Sequence, residues 1–311
     1  MIKYLTYDEI DKKRWDECID KAFNGMVYAK SWYLNTVAEN WDALVKNDYE
    51  QVFPLTWRKK YGIYYLYQPV FTQQLGIFSK TRLNEEIVIH FIENMPAKFH
   101  FVEINLNTLN SLANSKYKAK NWLNHELDLI NSYEKISRDF STNLKRNISK
   151  SQKAGLTVTK GVKPEEIIRI FRENRGKGIP TLDDGVYQKL ARLTYEGIYK
   201  GLVVTYGVYS KNNSLCAGVI FIRNMKKVIF LFSGLTEEGR ELNAMAFLID
   251  SFIREHAGQH LTLDFEGSND KNLARFYKSF GSVEIYYPHL VINKLPFPHN
   301  VLFQIKKLLK R

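Results

Sequence analysis

One order of secondary-structure signals occurs twice in this chain, which restricts it to folds built from a duplicated unit. In the first half the β-rich runs YEQVFPLTW and YGIYYLYQPVF are joined by the basic turn RKK, a helical segment NEEIVIHFIENMP stops at Pro96, and the apolar FHFVEINL follows. In the second half VVTYGVY and CAGVIFIR read as a hairpin around SKNNSL. KKVIFLFSGL is the next strand, ELNAMAFLIDSFIREHAG a helix closed by Gly258, and LTLDFEGS the strand beyond. From Asp48 to Leu106 and from Asn213 to Asn269 the order matches with little sequence identity. The competing reading is two ordinary α/β domains that share an order by chance.

The join falls near Asn131 to Arg138, which predicts an N-terminal domain over residues 1–135 and a C-terminal domain over 136–298. Ahead of the first repeat, IKYL reads as a strand, and the following helix gathers Ile10, Trp15, Cys18, Ile19 and Ala22 on one face. A second helix is predicted around SWYLNTVAENW. After Pro298, residues 299–311 read as a basic amphipathic helix that collects Val301, Leu302, Ile305, Leu308 and Leu309 on one side. That helix either makes a weak, reversible contact with an anionic membrane surface, without stable insertion, or packs back on the fold.

Charge is segregated along the chain. The totals are 45 Lys+Arg and 33 Asp+Glu, a net +12. Residues 1–131 hold 16 basic and 16 acidic side chains, so residues 132–311 carry 29 − 17 = +12, the whole excess. This points to a polyanionic partner or to a solvated basic surface. Two cysteines, Cys18 and Cys216, exclude a disulfide framework, and no Cys/His cluster suggests a metal. The expected compartment is the reducing cytoplasm. No signal-peptide pattern and no 18-residue uncharged apolar run is present, so neither secretion nor membrane spanning is predicted.

Between the repeats lies DFSTNLKRNISKSQKAGLTVTKG. Ser141 is the expected N-cap, Leu144, Ile148 and Ser151 the inner face, and Gly155 the stop. Lys145, Arg146, Lys150 and Lys153 fall on the other faces, with Arg146, Lys150 and Lys153 forming a stripe at i, i+4 and i+7. Such a stripe suits phosphate, which Arg binds bidentately.

The run LTLDFEGSNDKNLARFYKSFGSVEIYYP, residues 261–288, carries the most chemistry. A strand ends in Asp264, Glu266, Ser268 and Asn269, and a short helix then presents Arg275, Tyr277 and Lys278. Ligands of open α/β sheets sit beyond the carboxyl ends of strands. Asp264 and Glu266, two apart in a strand, are expected on one face. The bland readings are carboxylates that partner nearby basic groups and a Tyr277 that packs in the core.

The hairpin, strand, helix and strand, followed by N-x-A-x-F-Y-x-x-F-G over Asn272 to Gly281, resemble the Gcn5-related N-acetyltransferase (GNAT) fold. The duplication, with DFSTNLKRNISKSQKAGLTV and DFEGSNDKNLARFYKSFG, is similar to the FemAB branch, which carries two GNAT-like domains in one chain. The resemblance covers most of the chain beyond Asp48. It implies mixed, largely antiparallel sheets flanked by helices. It also implies transfer of an acyl or aminoacyl group onto an amine of a phosphate-bearing or cell-envelope precursor such as that of peptidoglycan, in a groove between the domains. The segment PVFTQQLGIFS resembles the one that enters the acceptor groove in such relatives.

The departures are specific. The loop GLTEEGRELNA has Gly234, Gly239 and Arg240 but lacks the spaced glycines that hold the acetyl-CoA pyrophosphate, and it adds Glu237, Glu238 and Glu241. Asn272 and Tyr277 are five apart where the GNAT pair is seven apart. The lysine of the FemAB F-K-x-G-F pattern is either displaced to Lys278 or replaced by Tyr277. Residues 163–200 have room for two helices but for no inserted tRNA-binding arm.

The chemistry would need a base, for which Glu266 and Asp264 are candidates, and a donor to the oxyanion or leaving group, for which Tyr277 and Lys278 are candidates. Lys145, Arg146, Lys150, Lys153, Arg240 and Asn272 are the candidates for holding the substrate and its phosphates. The donor is an acyl-CoA or an aminoacyl-tRNA, with no metal, and the partner a phosphate-bearing small molecule or a tRNA acceptor arm. The alternative is a non-catalytic nucleotide- or RNA-binding module, favoured if Tyr277, Glu266 and Lys278 fail to meet in an open pocket.

Overall fold

The computed structural model describes residues 1–179, 181–224, 226–267, 269–298 and 300. The expected C-terminal helix lies outside these residues, as does Ser268. The chain forms two compact units. One holds Met1–Trp122 together with Tyr286 and the described residues after it, and the other holds Leu123–Ile285.

The first unit begins with β1 (Ile2–Leu5), α1 (Lys12–Lys21), α2 (Ser31–Val37), β2 (Asn40–Lys46), β3 (Gln51–Lys60) and β4 (Ile63–Tyr67). It continues with β5 (Phe78–Ser79), α3 (Glu85–Glu93) and β6 (Phe99–Asn105). Asp11 caps α1 by accepting the Lys13 and Arg14 amides, and the predicted face of Trp15, Cys18, Ile19 and Ala22 is buried. The second predicted helix is shorter than expected: α2 stops at Val37, and Asn40 and Trp41 belong to β2. Five consecutive buried positions in β2 leave no alternation to read. Leu44, Phe53 and Ile104 share one core cluster with Phe91 of α3.

The second unit is built from β7 (Lys120–Asp128), α4 (Tyr133–Arg138), α5 (Thr142–Lys153), β8 (Thr157–Lys160), α6 (Pro164–Glu173) and α7 (Asp184–Tyr199). After these come β9 (Val203–Tyr209), β10 (Leu215–Asn224), β11 (Lys227–Leu235), α8 (Glu237–Glu241), α9 (Ala244–His256), β12 (Thr262–Asp264) and α10 (Lys271–Lys278). The last strand of the chain is β13 (Val283–Asn293), whose residues from Tyr286 on belong to the first unit. Among the described residues no helix is long and apolar enough to cross a membrane.

Topology repeats as the sequence order does. In the first unit β1, β2, β3 and β4 pair antiparallel in turn, and β4 then pairs parallel with β6. In the second, β8, β9, β10 and β11 pair antiparallel in turn, and β11 pairs parallel with β12. In the first unit β13, from the end of the chain, pairs antiparallel with β6, and in the second β7, which precedes the second repeat, pairs antiparallel with β12.

Candidate active site

Two local features open a site at the carboxyl ends of the parallel pair in the second unit. β12 pairs with β11 only from Lys227↔Thr262 to Ile229↔Asp264, after which β11 runs on to Leu235 without it. The β10–β11 register also slips, from Phe221↔Phe230 to Ile220↔Phe232, so Leu231 is the extra residue of a bulge. A bulge bends the strand and re-aims the side chains beyond it. The segments that follow the two strands then separate around an open cavity of about 910 Å³.

Three segments line that cavity: Glu173 to Lys177 after α6, Glu237 and Arg240 of α8, and Asp270 to Phe276 at the start of α10. α6 and α8 reach their places through glycines. A Cβ on Gly234 would lie 2.5 Å from the Ile167 carbonyl oxygen, and one on Gly239 would lie 2.1 Å from that of Cys216. Leu273 and Phe276 give the cavity apolar wall, and Arg175, Lys177 and Arg240 give it cationic groups. Among the described residues these three cations form no ion pair, whereas Glu173 is held by Arg169 at 2.9 Å. Asp270 caps α10 through the Asn272 and Leu273 amides, which hold its carboxyl below the usual range. The cavity thus offers a ligand Arg175, Lys177 and Arg240 beside two further carboxylates, Glu237 and the capped Asp270.

Of the residues singled out from sequence, Arg240 and Asn272 meet in this cavity. Tyr277 is 5% exposed and sits in the core of the second unit. Burial, with the Glu266 carboxylate second, pushes its phenol well above the ordinary value against the pull of Arg175, so the hydroxyl stays protonated. Glu266 is half-buried, with φ at +54°. Lys278 is 67% exposed and donates to Glu284 at 3.1 Å, and it does not line the cavity. Tyr277, Glu266 and Lys278 thus do not meet in one open pocket.

Asp264 and Glu266 do not share a strand face, contrary to the two-residue spacing. β12 stops at Asp264, and the left-handed backbone at Glu266 breaks the alternation. Asp264 is fully buried; its Oδ1 accepts the Asn124 amide at 3.0 Å and the Glu266 backbone N–H at 2.9 Å. Burial raises its pKa, with Lys227 opposing and Glu126 adding to the rise. Asp264 therefore fixes the backbone at Glu266.

Lys145, Arg146, Lys150 and Lys153 stand exposed on α5, whose Ser141 cap and Leu144, Ile148 and Ser151 inner face are as the periodicity predicts. None of the four lines the cavity. Sequence reasoning passed over Arg175 and Lys177; the R-G-K-G turn after α6 was the available signal. It also passed over His125, whose Nδ1 lies 3.1 Å from the Ser282 hydroxyl, with both residues buried.

Two α/β units of one strand order, each with a parallel pair beside an antiparallel run, define the FemAB-like tandem GNAT fold. Among solved structures the chain is similar to FemX, with a TM-score of 0.63 and 13% identity over 97% of this chain and 99% of that one. L-PGS from Bacillus licheniformis gives a TM-score of 0.55 and 10% identity over 97% and 98% of the two chains. A tandem GNAT protein from the clavulanic acid biosynthesis pathway gives 0.53 and 10% over 95% and 99%. No family model matches the chain, and no curated protein matches its sequence.

Proposed function

We propose that the protein is an N-acyltransferase of the GNAT/FemAB type. It moves an acyl or aminoacyl group from an acyl-CoA or an aminoacyl-tRNA onto an amine of a phosphate-bearing or cell-envelope precursor. The observation that carries this reading is the cavity beyond β11 and β12, lined by Arg175, Lys177 and Arg240, which form no ion pair among the described residues, and by an apolar wall. Arg175, Lys177 and Arg240 hold the donor's phosphates, and Leu273 and Phe276 cover its apolar part. Cations in a partly enclosed site bind phosphate through charge-assisted hydrogen bonds.

In the reaction the amine nitrogen attacks the carbonyl carbon, and the bond from that carbon to the thiol sulfur or ester oxygen breaks. The amine proton passes to Glu266, directly or through water, and returns from there to the departing thiol or hydroxyl, while Tyr277, kept protonated by burial, donates a hydrogen bond to the developing charge. Asp264 positions Glu266. The α5 cations take the phosphates of the acceptor or of a tRNA arm. The substrate classes are those the family resemblance implies, and the roles of Glu266 and Tyr277 are those the sequence assigned, since neither residue lines the cavity.

The burial of Tyr277 and Asp264, and the pairing of Lys278 outside the cavity, favour a second reading in which the same cavity binds a nucleotide or RNA without transfer. Incubation with labelled acyl-CoAs and charged tRNA, with a UDP-linked muropeptide as acceptor, separates the two. Label found on the acceptor amine supports transfer, and tight donor binding with no labelled product supports the binding module.

A further inference from the structure

We propose that one end of the first unit's sheet docks on an anionic membrane surface. This rests on the first unit alone and is independent of the transfer reading. The strand registers place the end. β3 and β4 turn at Tyr61–Gly62, β4 runs parallel to β6 from Tyr64↔Phe99, and β13 runs antiparallel to β6 up to Asn293↔Phe101. The Lys294 amide then donates to the His100 carbonyl at 2.7 Å. Lys59, Lys60, Tyr61, Lys98 and Lys294 therefore share one end of four adjacent strands, a width of about 14 Å at three strand spacings.

That end has cations to spare. Its carboxylates are taken: Glu39 by Arg58 at 3.0 Å, Asp42 by Lys98 at 3.5 Å, and Glu93 by Lys116 at 2.6 Å. Among the described residues Lys59, Lys60 and Lys294, all exposed, form no ion pair. Two aromatic rings that contribute little to the core belong to the same segments, Tyr61 of the β3–β4 turn at 82% exposed and Phe297, three residues after Lys294, at 84%.

Tyr61 is the more informative of the two. It has φ +50° and Gly62 φ +78°, the signature of a two-residue turn with both central residues left-handed, where Asn-Gly is the preferred pair. A bulky aromatic there is backbone strain retained with little return from packing, and its ring contact is with the Lys60 ammonium, 5.4 Å from the centroid. Tyrosine at the headgroup level of a bilayer, with lysines against anionic lipid, would use both features. Single-stranded nucleic acid is served instead by a groove that tracks its backbone, whereas these groups sit at strand ends, and Phe297 lies between Pro296 and Pro298.

The test is co-sedimentation of the full chain with phosphatidylcholine vesicles, with and without phosphatidylglycerol, at low and high salt. Binding is expected only with phosphatidylglycerol and is weakened by salt. Lys59→Gln with Lys60→Gln should lower partitioning about tenfold or more, since each lysine near an anionic surface is worth roughly fivefold. Tyr61→Asn should lower it severalfold while keeping or raising the melting temperature, because Asn tolerates the left-handed backbone, so loss of binding cannot be ascribed to unfolding. The proposal is overturned if the full chain does not bind phosphatidylglycerol vesicles, if these variants bind them unchanged, or if a single-stranded RNA oligonucleotide binds through the same lysines and displaces the vesicles.

Discussion

Tyr277 lies against Phe265, ring centroids 4.7 Å apart and planes 22° apart, in the core cluster against which the cavity residues Leu273 and Phe276 pack. Tyr277→Phe keeps this stack and removes only the hydroxyl, on which the charges of Glu266 and Arg175 act. Turnover should fall roughly 10²–10³-fold, the range for one lost hydrogen-bond donor, with little change in melting temperature. Tyr277→Ala should cost about 3–5 kcal/mol of stability, as loss of a large buried aromatic does. Full activity of Tyr277→Phe would leave Tyr277 a packing residue.

Arg175 and Arg240 reach the cavity from separate segments. Substituting either by Gln should weaken binding of a phosphate-bearing donor by about 1.5–3 kcal/mol and reduce its salt dependence. Arg146→Gln with Lys150→Gln on α5 should instead weaken binding of the phosphate-bearing acceptor. Calorimetric titration at two salt concentrations checks both. If all four substitutions leave binding untouched, these cations belong to bulk solvent.

Lys227 contacts Glu126 at 2.5 Å and Asp264 at 3.8 Å. Burial alone would lower its pKa, but the two carboxylates outweigh that and raise it. Its contribution to stability is therefore complete below the unfolded-state pKa and is lost as pH rises through the folded one. Lys227→Met should cost roughly 3 kcal/mol near neutral pH, the low end for breaking a buried pair, because a third of the Lys227 side chain meets solvent. The deficit should narrow in mild acid, where Asp264, its pKa already raised, takes up a proton. A deficit that does not vary with pH, in melting curves at both pH values, would contradict this.

Gly239→Ala places a methyl 2.1 Å from the Cys216 carbonyl oxygen, so α8 has to lift off β10 and carry Arg240 with it. Thermal melting and donor affinity should both drop. Gly178→Ala has nothing within 4 Å of its new Cβ and should change neither.

The repeated order was legible because each element carries its own period and stop, as Ser141 and Gly155 do for α5. β7 was not, because adjacent Asn124 and His125 are both buried and hide any alternation. The pairing of β7 with β12 and of β13 with β6 is long-range and is not encoded by local sequence. Arg240 and Asn272 were found from motif positions. Arg175 and Lys177 were missed because the cavity draws on three segments far apart in sequence. The expected pairing of Asp264 with Glu266 failed at a single residue, the left-handed Glu266.

The most direct measurement is a single-turnover transfer assay with the donor bound to excess protein, comparing the wild type with the Arg175→Gln, Arg240→Gln double variant. The account predicts labelled amide product from at least one acyl-CoA or aminoacyl-tRNA donor, and a loss of at least about 100-fold at subsaturating donor when both arginines are gone, from two contacts of about 1.5 kcal/mol or more. Product formation that is unchanged in the double variant, or donors that bind the wild type tightly and yield no product, would contradict it.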